Sequence, residues 1–461
     1  MIENRFQDLF KGKRVAILGF GKEGRSTCGR LKQFLPDQDL IICDRNGSVR
    51  DTIAAERLTP GDQWFLGPEY LRGLTKADII IKSPGIPFSE LSGLDLPGRI
   101  TSQTELFLGF FRKQVIGISG TKGKSTTASL LYHILKTAGR PVLIAGNIGT
   151  PCFELLDDIG SDTVIVFEMS SHQLQGIKVS PRVAVLLNIF EEHLDHYSSF
   201  GEYQQAKMNI VRWQGAEDVF IYDADNPHLQ SLVSSVDMPS RTITLGGTCQ
   251  GSGIICCSGD DMVYSDGQER VLFPRICRNR IIPGHHNLKN IAAAVAAALV
   301  LQVPADHIPG AVSTFRGLPH RMEYVGTFKG ILFYNDSIAT IPEATMAAIM
   351  SFPEAETLIL GGKDRGVDYI PLIDFLSRSS VMNILFTGDA GDRMISIAKA
   401  CKGFEKKRLF RPASFDEAVK KAIQLTREGR ICLLSPAAAS YDTFKNFEER
   451  GERFTFLVQN A

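Results

Sequence analysis

"VIGISGTKGKSTTASLL", residues 115–131, is an apolar run, a turn of small and basic residues, and the start of a helix-compatible stretch. Strand, turn and helix in that order let backbone N–H groups and a lysine cradle phosphates. The spacing is unusual. The common phosphate loop places a glycine, four residues, then Gly-Lys-Ser/Thr. Counting back from Gly123-Lys124-Ser125, that glycine should stand where Ile118 is; Gly117 comes one place early and Gly120 two places late. The parts a triphosphate needs are still present. Gly120, Thr121, Lys122 and Gly123 allow close backbone approach, Lys124 can hold β and γ phosphates, and Ser125 or Thr126 offers a hydroxyl for Mg²⁺. Leu130, Leu131, Ile134, Leu135 and Ala138 then recur at helical spacing, with Gly139 as the expected C-cap. ATP or GTP binding is the expectation.

Upstream, "VAILGFGKEGRS" (15–26) is a second glycine turn after an apolar run. Gly19-x-Gly21-x-x-Gly24, with Asp44 twenty residues later, fits the dinucleotide pattern. The residues alone leave three readings: NAD(P), another nucleotide or diphosphate, or a structural tight turn. "DLIICDR" (39–45) and "ADIIIKSPGIP" (77–87) continue a parallel α/β pattern with ligands expected at the strands' carboxyl ends.

Further on, "DTVIVFEMSS" (162–171) and "VAVLLNIFEEHLDHY" (183–197) read as strands buried on both faces. They end in titratable residues: Glu168 in one, His193 and Asp195 in the other. Lys207, in "YQQAKMNIV", reads from the residues alone as a solvated helical lysine. "TLILGGKDRG", "NILFTGD" and "RICLLSPAAAS" give a last group of strands. The expected fold class is α/β, with three consecutive α/β domains. Residues 1–102 form a Rossmann-like domain, 103–317 a central P-loop-type ATPase domain, and 318–461 a Rossmann-like C-terminal domain.

The 461 residues carry 51 basic and 51 acidic side chains, so no charge excess asks for nucleic acid or an anionic membrane. The N-terminal stretch has no apolar core like that of a secretory signal, and "IAAAVAAALVLQV" (291–303) is too short to span a bilayer. Nine cysteines without a Cys-x-x-Cys pair are expected as reduced thiols of a cytoplasmic protein.

The loop GTKGKST resembles that of the Mur ligases and folylpolyglutamate synthetases, whose spacing differs from the common one. The resemblance runs on through "EMSSHQLQ" (168–175), "NIFEEHLDHY" (188–197) and "GHHNLKNIAAA" (284–294). It continues in "FRGLPHRME" (315–323), "YNDSIAT" (334–340) and "LLSPAAASYDTFKNFEERGERF" (433–454). Within the family, the first glycine turn, "SPGIP" and the last of these stretches resemble the branch that adds D-glutamate to UDP-N-acetylmuramoyl-L-alanine in peptidoglycan precursor synthesis.

The resemblance implies an ATP-dependent, cytoplasmic, monomeric ligase working through an acyl phosphate, with two Mg²⁺ ions. Lys124, Glu168, His193 and Lys207 would be catalytic. Ser125 and Glu168 would hold one metal, His193 and a carbamylated Lys207 the second. Asn287, Asn290, His320, Arg321 and Asp336 would join the loop around ATP when the third domain closes. Gly21, Lys22, Glu23, Asp44, Arg45, Ser83, Pro84, Gly85, Asn147 and Ser170 would line the UDP substrate. Thr340, Arg365, Ser440 and Phe447 would hold glutamate. Two positions depart from the family. Ile338 stands where the motif Asn-Asp-Ser-Lys-Ala-Thr has lysine, and Arg365 where a lysine often stands. Ile338 keeps L-glutamate open as an alternative. An NAD(P)-dependent oxidoreductase and a purely regulatory nucleotide module are rivals from other classes.

Overall fold

Short apolar runs that alternate with helices can bury both faces only as inner strands of a parallel sheet. The computed structural model describes residues 2–52, 59–146, 150–236, 238–246, 252–267, 270–284 and 286–461. It contains three such sheets. In the first, Val15–Leu18 is fully buried and pairs in parallel with Leu40–Asp44 on one side and Ile79–Lys82 on the other. Gln63–Leu66 and Arg99–Thr101 form the edges, also parallel. The order reverses at Val15–Leu18, so the first glycine turn opens at the crevice where such sheets take ligands.

The second sheet has nine strands. From one edge, Val142–Gly146, Val164–Glu168, Val115–Ser119, Val183–Leu186, Val219–Asp223, Arg241–Leu245 and Ile254–Ser258 run parallel. Asp261–Ser265 and Arg270–Phe273 then add an antiparallel extension that the sequence reading did not anticipate. The third sheet orders Glu323–Phe328, Ile331–Asn335, Ile431–Leu434, Ala355–Gly361, Asn383–Thr387 and Arg408–Phe410. Only Glu323–Phe328 is antiparallel there.

The chain forms two compact units. One takes residues up to Arg278 and Leu288–Ala311, and holds the first two sheets; the other takes Asn279–Asn287 and Val312–Ala461, and holds the third. Among the described residues, no helix is long and apolar enough to cross a membrane.

Three expectations need correction. The apolar run 183–197 is a strand only to Leu186, because the polar Asn188 and Glu191–Glu192 cannot continue a strand buried on both faces. His193 therefore lies in a loop beyond it, not at the strand's end. Lys207, read from the residues as solvated, is 1% exposed, because it faces inward on the helix Phe200–Arg212. Cys256 is disulfide-bonded, so the thiols are not all reduced.

Candidate active site

At the first turn, Gly19 takes φ +89° and donates its N–H to Cys43 O at 2.8 Å. The Asp44 carboxylate accepts from Phe20 N at 2.6 Å and Asn46 N at 2.7 Å, fixing the two adjoining strand ends. Ser83 Oγ donates to Gly19 O at 2.7 Å, which ties the third strand end to the turn. A Cβ at Gly24 would overlap the Gly19 carbonyl. The helix Lys22–Phe34 starts here with Gly21 as N-cap and no side chain capping it. Its first N–H groups thus remain available to an anion.

Around this turn, Gly85 and Lys22 are exposed and Pro84 is half-buried. Arg45 pairs with Glu90 at 2.8 Å and lies over the Tyr70 ring at 5.8 Å. Glu23 is turned towards the second sheet, where its carboxylate accepts from Gln173 Nε2 at 2.8 Å. Ser170 and Gln173 form a reciprocal capping box at the start of Ser171–Leu174. Asn147 lies outside the described residues.

At the second turn, Gly120 (φ +154°) and Gly123 (φ +88°) bracket the loop, and the helix Lys124–Thr137 again has no side-chain cap. A side chain at Gly123 would collide with Asn290 Oδ1. Lys124 Nζ donates to Gly120 O and Thr121 O, both at 2.9 Å. Asn188 pins Lys122 from both sides, accepting its N–H at 2.8 Å and donating to its carbonyl at 3.0 Å. Ser125 is the second residue of the helix, and Glu168, buried at its strand's end, lies opposite Ile118 in the register.

On the other side of the loop, Lys207 Nζ donates to Gly120 O at 2.9 Å and sits 4.9 Å from the Tyr203 ring centroid. Tyr203 and Thr121 share a 2.8 Å hydrogen bond. Burial, and then the Lys124 charge, hold the Lys207 amine well below its usual range. His193 has φ +60° and is 43% exposed at the side chain. Its ring centroid lies 4.9 Å from His172 and 6.1 Å from Tyr203. Lys124, Glu168, His193 and Lys207 thus belong to segments that border one loop in one compact unit.

The second unit contributes separate groups. Asn287 Nδ2 donates to Pro283 O at 2.5 Å. His320 (φ +61°) receives the Asn335 side chain at 3.0 Å and lies 6.2 Å, ring to ring, from Phe447. Asp336 accepts from Ser435 Oγ at 2.7 Å and Met322 N at 3.2 Å. Burial raises its carboxyl to about 7, against those bonds and the charge of exposed Arg321. Arg365 Nη2 donates to Thr340 O at 3.1 Å. Ser440 is buried, and Phe447 opens the helix Phe447–Gln459.

Residues 118–298 match the Mur ligase middle domain, and 320–438 the Mur ligase, glutamate ligase domain. The chain is 33% identical to the UDP-N-acetylmuramoylalanine--D-glutamate ligase of Desulfitobacterium hafniense, covering 97% of each chain. It is 32% identical to the enzyme of that name from Acetivibrio thermocellus, over 99% of this chain and 98% of the other. This chain is a Mur ligase. Among solved structures, its fold is similar to a UDP-N-acetylmuramoyl-L-alanyl-D-glutamate--2,6-diaminopimelate ligase. The TM-score is 0.59 at 16% identity, over 92% of this chain and 93% of that one. It is also similar to MurF from Thermotoga maritima in complex with ADP, with TM-score 0.54 at 18% identity over 98% and 96%.

As a Mur ligase, the protein is an ATP-dependent ligase of peptidoglycan synthesis. An oxidoreductase reading of the first turn has no place in it. Reading the ligase's sequence missed several residues that shape the site. Lys82 is buried and donates to Ser83 O at 3.2 Å and Ile86 O at 2.6 Å, folding the Ser83–Ile86 loop around its own ammonium. Its signal was a lysine ending an otherwise apolar strand. Tyr203 and Gln173 gave none, since their partners Thr121 and Glu23 are 82 and 150 residues away.

Proposed function

We propose that this ligase joins the amine of D-glutamate to the carboxylate of UDP-N-acetylmuramoyl-L-alanine. The observation that carries the reading is the pair of uncapped helix N-termini, each at the carboxyl edge of a parallel sheet and both in one compact unit. Two anion cradles suit two phosphorylated substrates. We assign the UDP moiety to the first, with Gly21, Lys22, Asp44, Arg45, Ser83, Pro84, Gly85 and Ser170. ATP takes the second, with Asn290 beside the loop. The full-length likeness to ligases named for D-glutamate supports the choice of substrates. On this reading, residues 1–102 bind the UDP substrate, 103–317 bind ATP and 318–461 bind the amino acid. The molecule works as a cytoplasmic monomer.

The chemistry follows from the charges. The acceptor carboxylate attacks the γ-phosphorus of ATP, ADP leaves, and an acyl phosphate forms. The glutamate amine attacks the acyl carbon, a tetrahedral intermediate collapses, and phosphate departs as the amine loses its proton. Lys124 neutralises charge on the transferred phosphoryl group, and the backbone N–H groups of the loop orient it. The Ser125 hydroxyl and the Glu168 carboxylate are hard oxygen donors of the kind Mg²⁺ takes, and the His193 imidazole is a further donor from the loop after the neighbouring strand. Bound there, Mg²⁺ would screen phosphate charge. A depressed amine suits Lys207 to carbamylation: the neutral amine adds to CO₂ and releases a proton, leaving a carboxylate where a cation stood. Exclusion of water would protect the acyl phosphate.

Phosphate release, assayed with Mg-ATP and UDP-N-acetylmuramoyl-L-alanine, tests the reading in two tubes. Release with D-glutamate is the expected result. Release with L-glutamate alone would overturn the stereochemistry; Ile338 keeps that reading alive, since it removes a cation from the family motif. Release with neither would overturn the substrate assignment.

A further inference from the structure

The helix Phe447–Gln459 buries a charged side chain that the reaction above does not use. Arg450 is 2% exposed. Its guanidinium donates four hydrogen bonds: to Ser337 Oγ at 3.0 Å, Ser337 O at 2.8 Å, Ala438 O at 3.0 Å and Gly361 O at 3.3 Å. These acceptors lie at or just beyond the ends of three adjacent strands, Ile331–Asn335, Ile431–Leu434 and Ala355–Gly361. None is a carboxylate. The charge of Asp442 opposes the effect of burial on the guanidinium.

Each residue assigned to glutamate hangs on one of these acceptors. Thr340 follows Ser337 by three residues, Arg365 follows Gly361 by four, and Ser440 follows Ala438 by two. Phe447 is tied in through its carbonyl, which accepts from Ser337 Oγ at 2.8 Å. The close approach is built into the backbone, since a Cβ at Gly362 would come within 3.0 Å of Arg450 Nη1.

We propose that Arg450 is a positioning residue for the amino-acid substrate. One guanidinium sets the mutual spacing of the segments that carry the glutamate contacts. The planar fork is what matters: three segments are held from one rigid group, which a lysine cannot do. The proposal rests on the glutamate reading above.

The test compares wild type with R450M, R450K and S337A in steady-state phosphate release, varying one substrate at a time. The expected result for R450M is a rise in KM for glutamate of about tenfold or more, with KM for ATP and for the UDP substrate within about twofold. R450K should fall between R450M and wild type. An unchanged glutamate KM, or equal rises for all three substrates, would overturn the proposal. S337A removes one acceptor and leaves the guanidinium buried; if R450M does not fold, the same comparison on S337A decides. Wild type lacking glutamate-dependent release would be a failure of the parent reading instead. Hydrogen exchange at Gly361–Lys363 and Ala438–Ser440 would then judge the anchoring alone: unchanged protection in R450K and S337A would sink it, and faster exchange would uphold it.

Discussion

Lys207 Nζ donates to Gly120 O at 2.9 Å, so an almost fully buried amine holds the first carbonyl of the phosphate loop. Burial and the neighbouring Lys124 charge favour its neutral form, which is the form that adds CO₂. Wild-type protein equilibrated with ¹³C-bicarbonate is expected to show one carbamate resonance that K207M lacks. K207M should lose about a hundredfold in kcat. Unlabelled wild type would remove the carbamate from the mechanism.

Ser83 Oγ and Gly24 make the first cradle in different ways. S83A deletes the hydrogen bond to Gly19 O and should weaken UDP binding about five- to tenfold by calorimetry. G24A forces a Cβ onto the Gly19 carbonyl and should abolish it. Mg-ATP affinity should stay at the wild-type value in S83A. A matching loss of both ligands would mean that the first turn does not serve UDP specifically.

Lys32 and Asp62 form a buried ion pair at 2.7 Å, with side chains 7% and 1% exposed. Asp62 also accepts from Leu40 N and Thr59 N, and Lys32 donates to Gln38 O and Thr59 Oγ1. Removing the carboxylate leaves a buried cation, so D62A should cost about 3–5 kcal/mol. Trp64, two residues away, makes this readable by urea titration of its fluorescence in a W213F background. A loss below about 1 kcal/mol would mean that water reaches the pair freely.

Asp336 gives the second unit a pH dependence. Burial pushes its carboxyl from the ordinary 3.8 up to about 7 in the folded state. The folded state therefore binds the extra proton between those limits, and the stability it contributes is present at low pH and lost as pH rises through about 7. D336N should flatten this fall, making the variant relatively more stable than wild type at pH 8 than at pH 4. Hydrogen exchange of Ile331–Asn335 at the two pH values reads the difference. Parallel pH trends in both proteins would show that the carboxyl is ionised throughout.

Much of this was legible because the information was local. Gly123-Lys124-Ser125 and the apolar spacing after it specify a strand, a turn and a helix within a few residues, and the structure has Lys124–Thr137 with Gly139 at φ +70°. What was hidden depends on distant partners. Lys207 looked like surface because its helix gives no sign that Gly120, 87 residues earlier, lies against it. Arg450 sat in a charged stretch, Glu448-Glu449-Arg450, and only the strand ends brought by the fold show it as buried. His193 was misplaced by a run of apolar letters that outlasts its strand.

The two units are interleaved along the chain: Asn279–Asn287 belongs with the second although Leu288–Ala311 returns to the first. The polypeptide therefore passes from one body to the other three times, after Arg278, after Asn287 and after Ala311. A protease that nicks one crossing leaves the bodies covalently joined by the others. A recombinant fragment beginning at Val312 would lack a piece of its own body, and one ending at Ala311 would carry a foreign one. Dissection of this ligase into halves thus calls for rewiring the connections, whereas simple truncation at Ala311 would leave the second body incomplete and the first carrying a segment that is not its own.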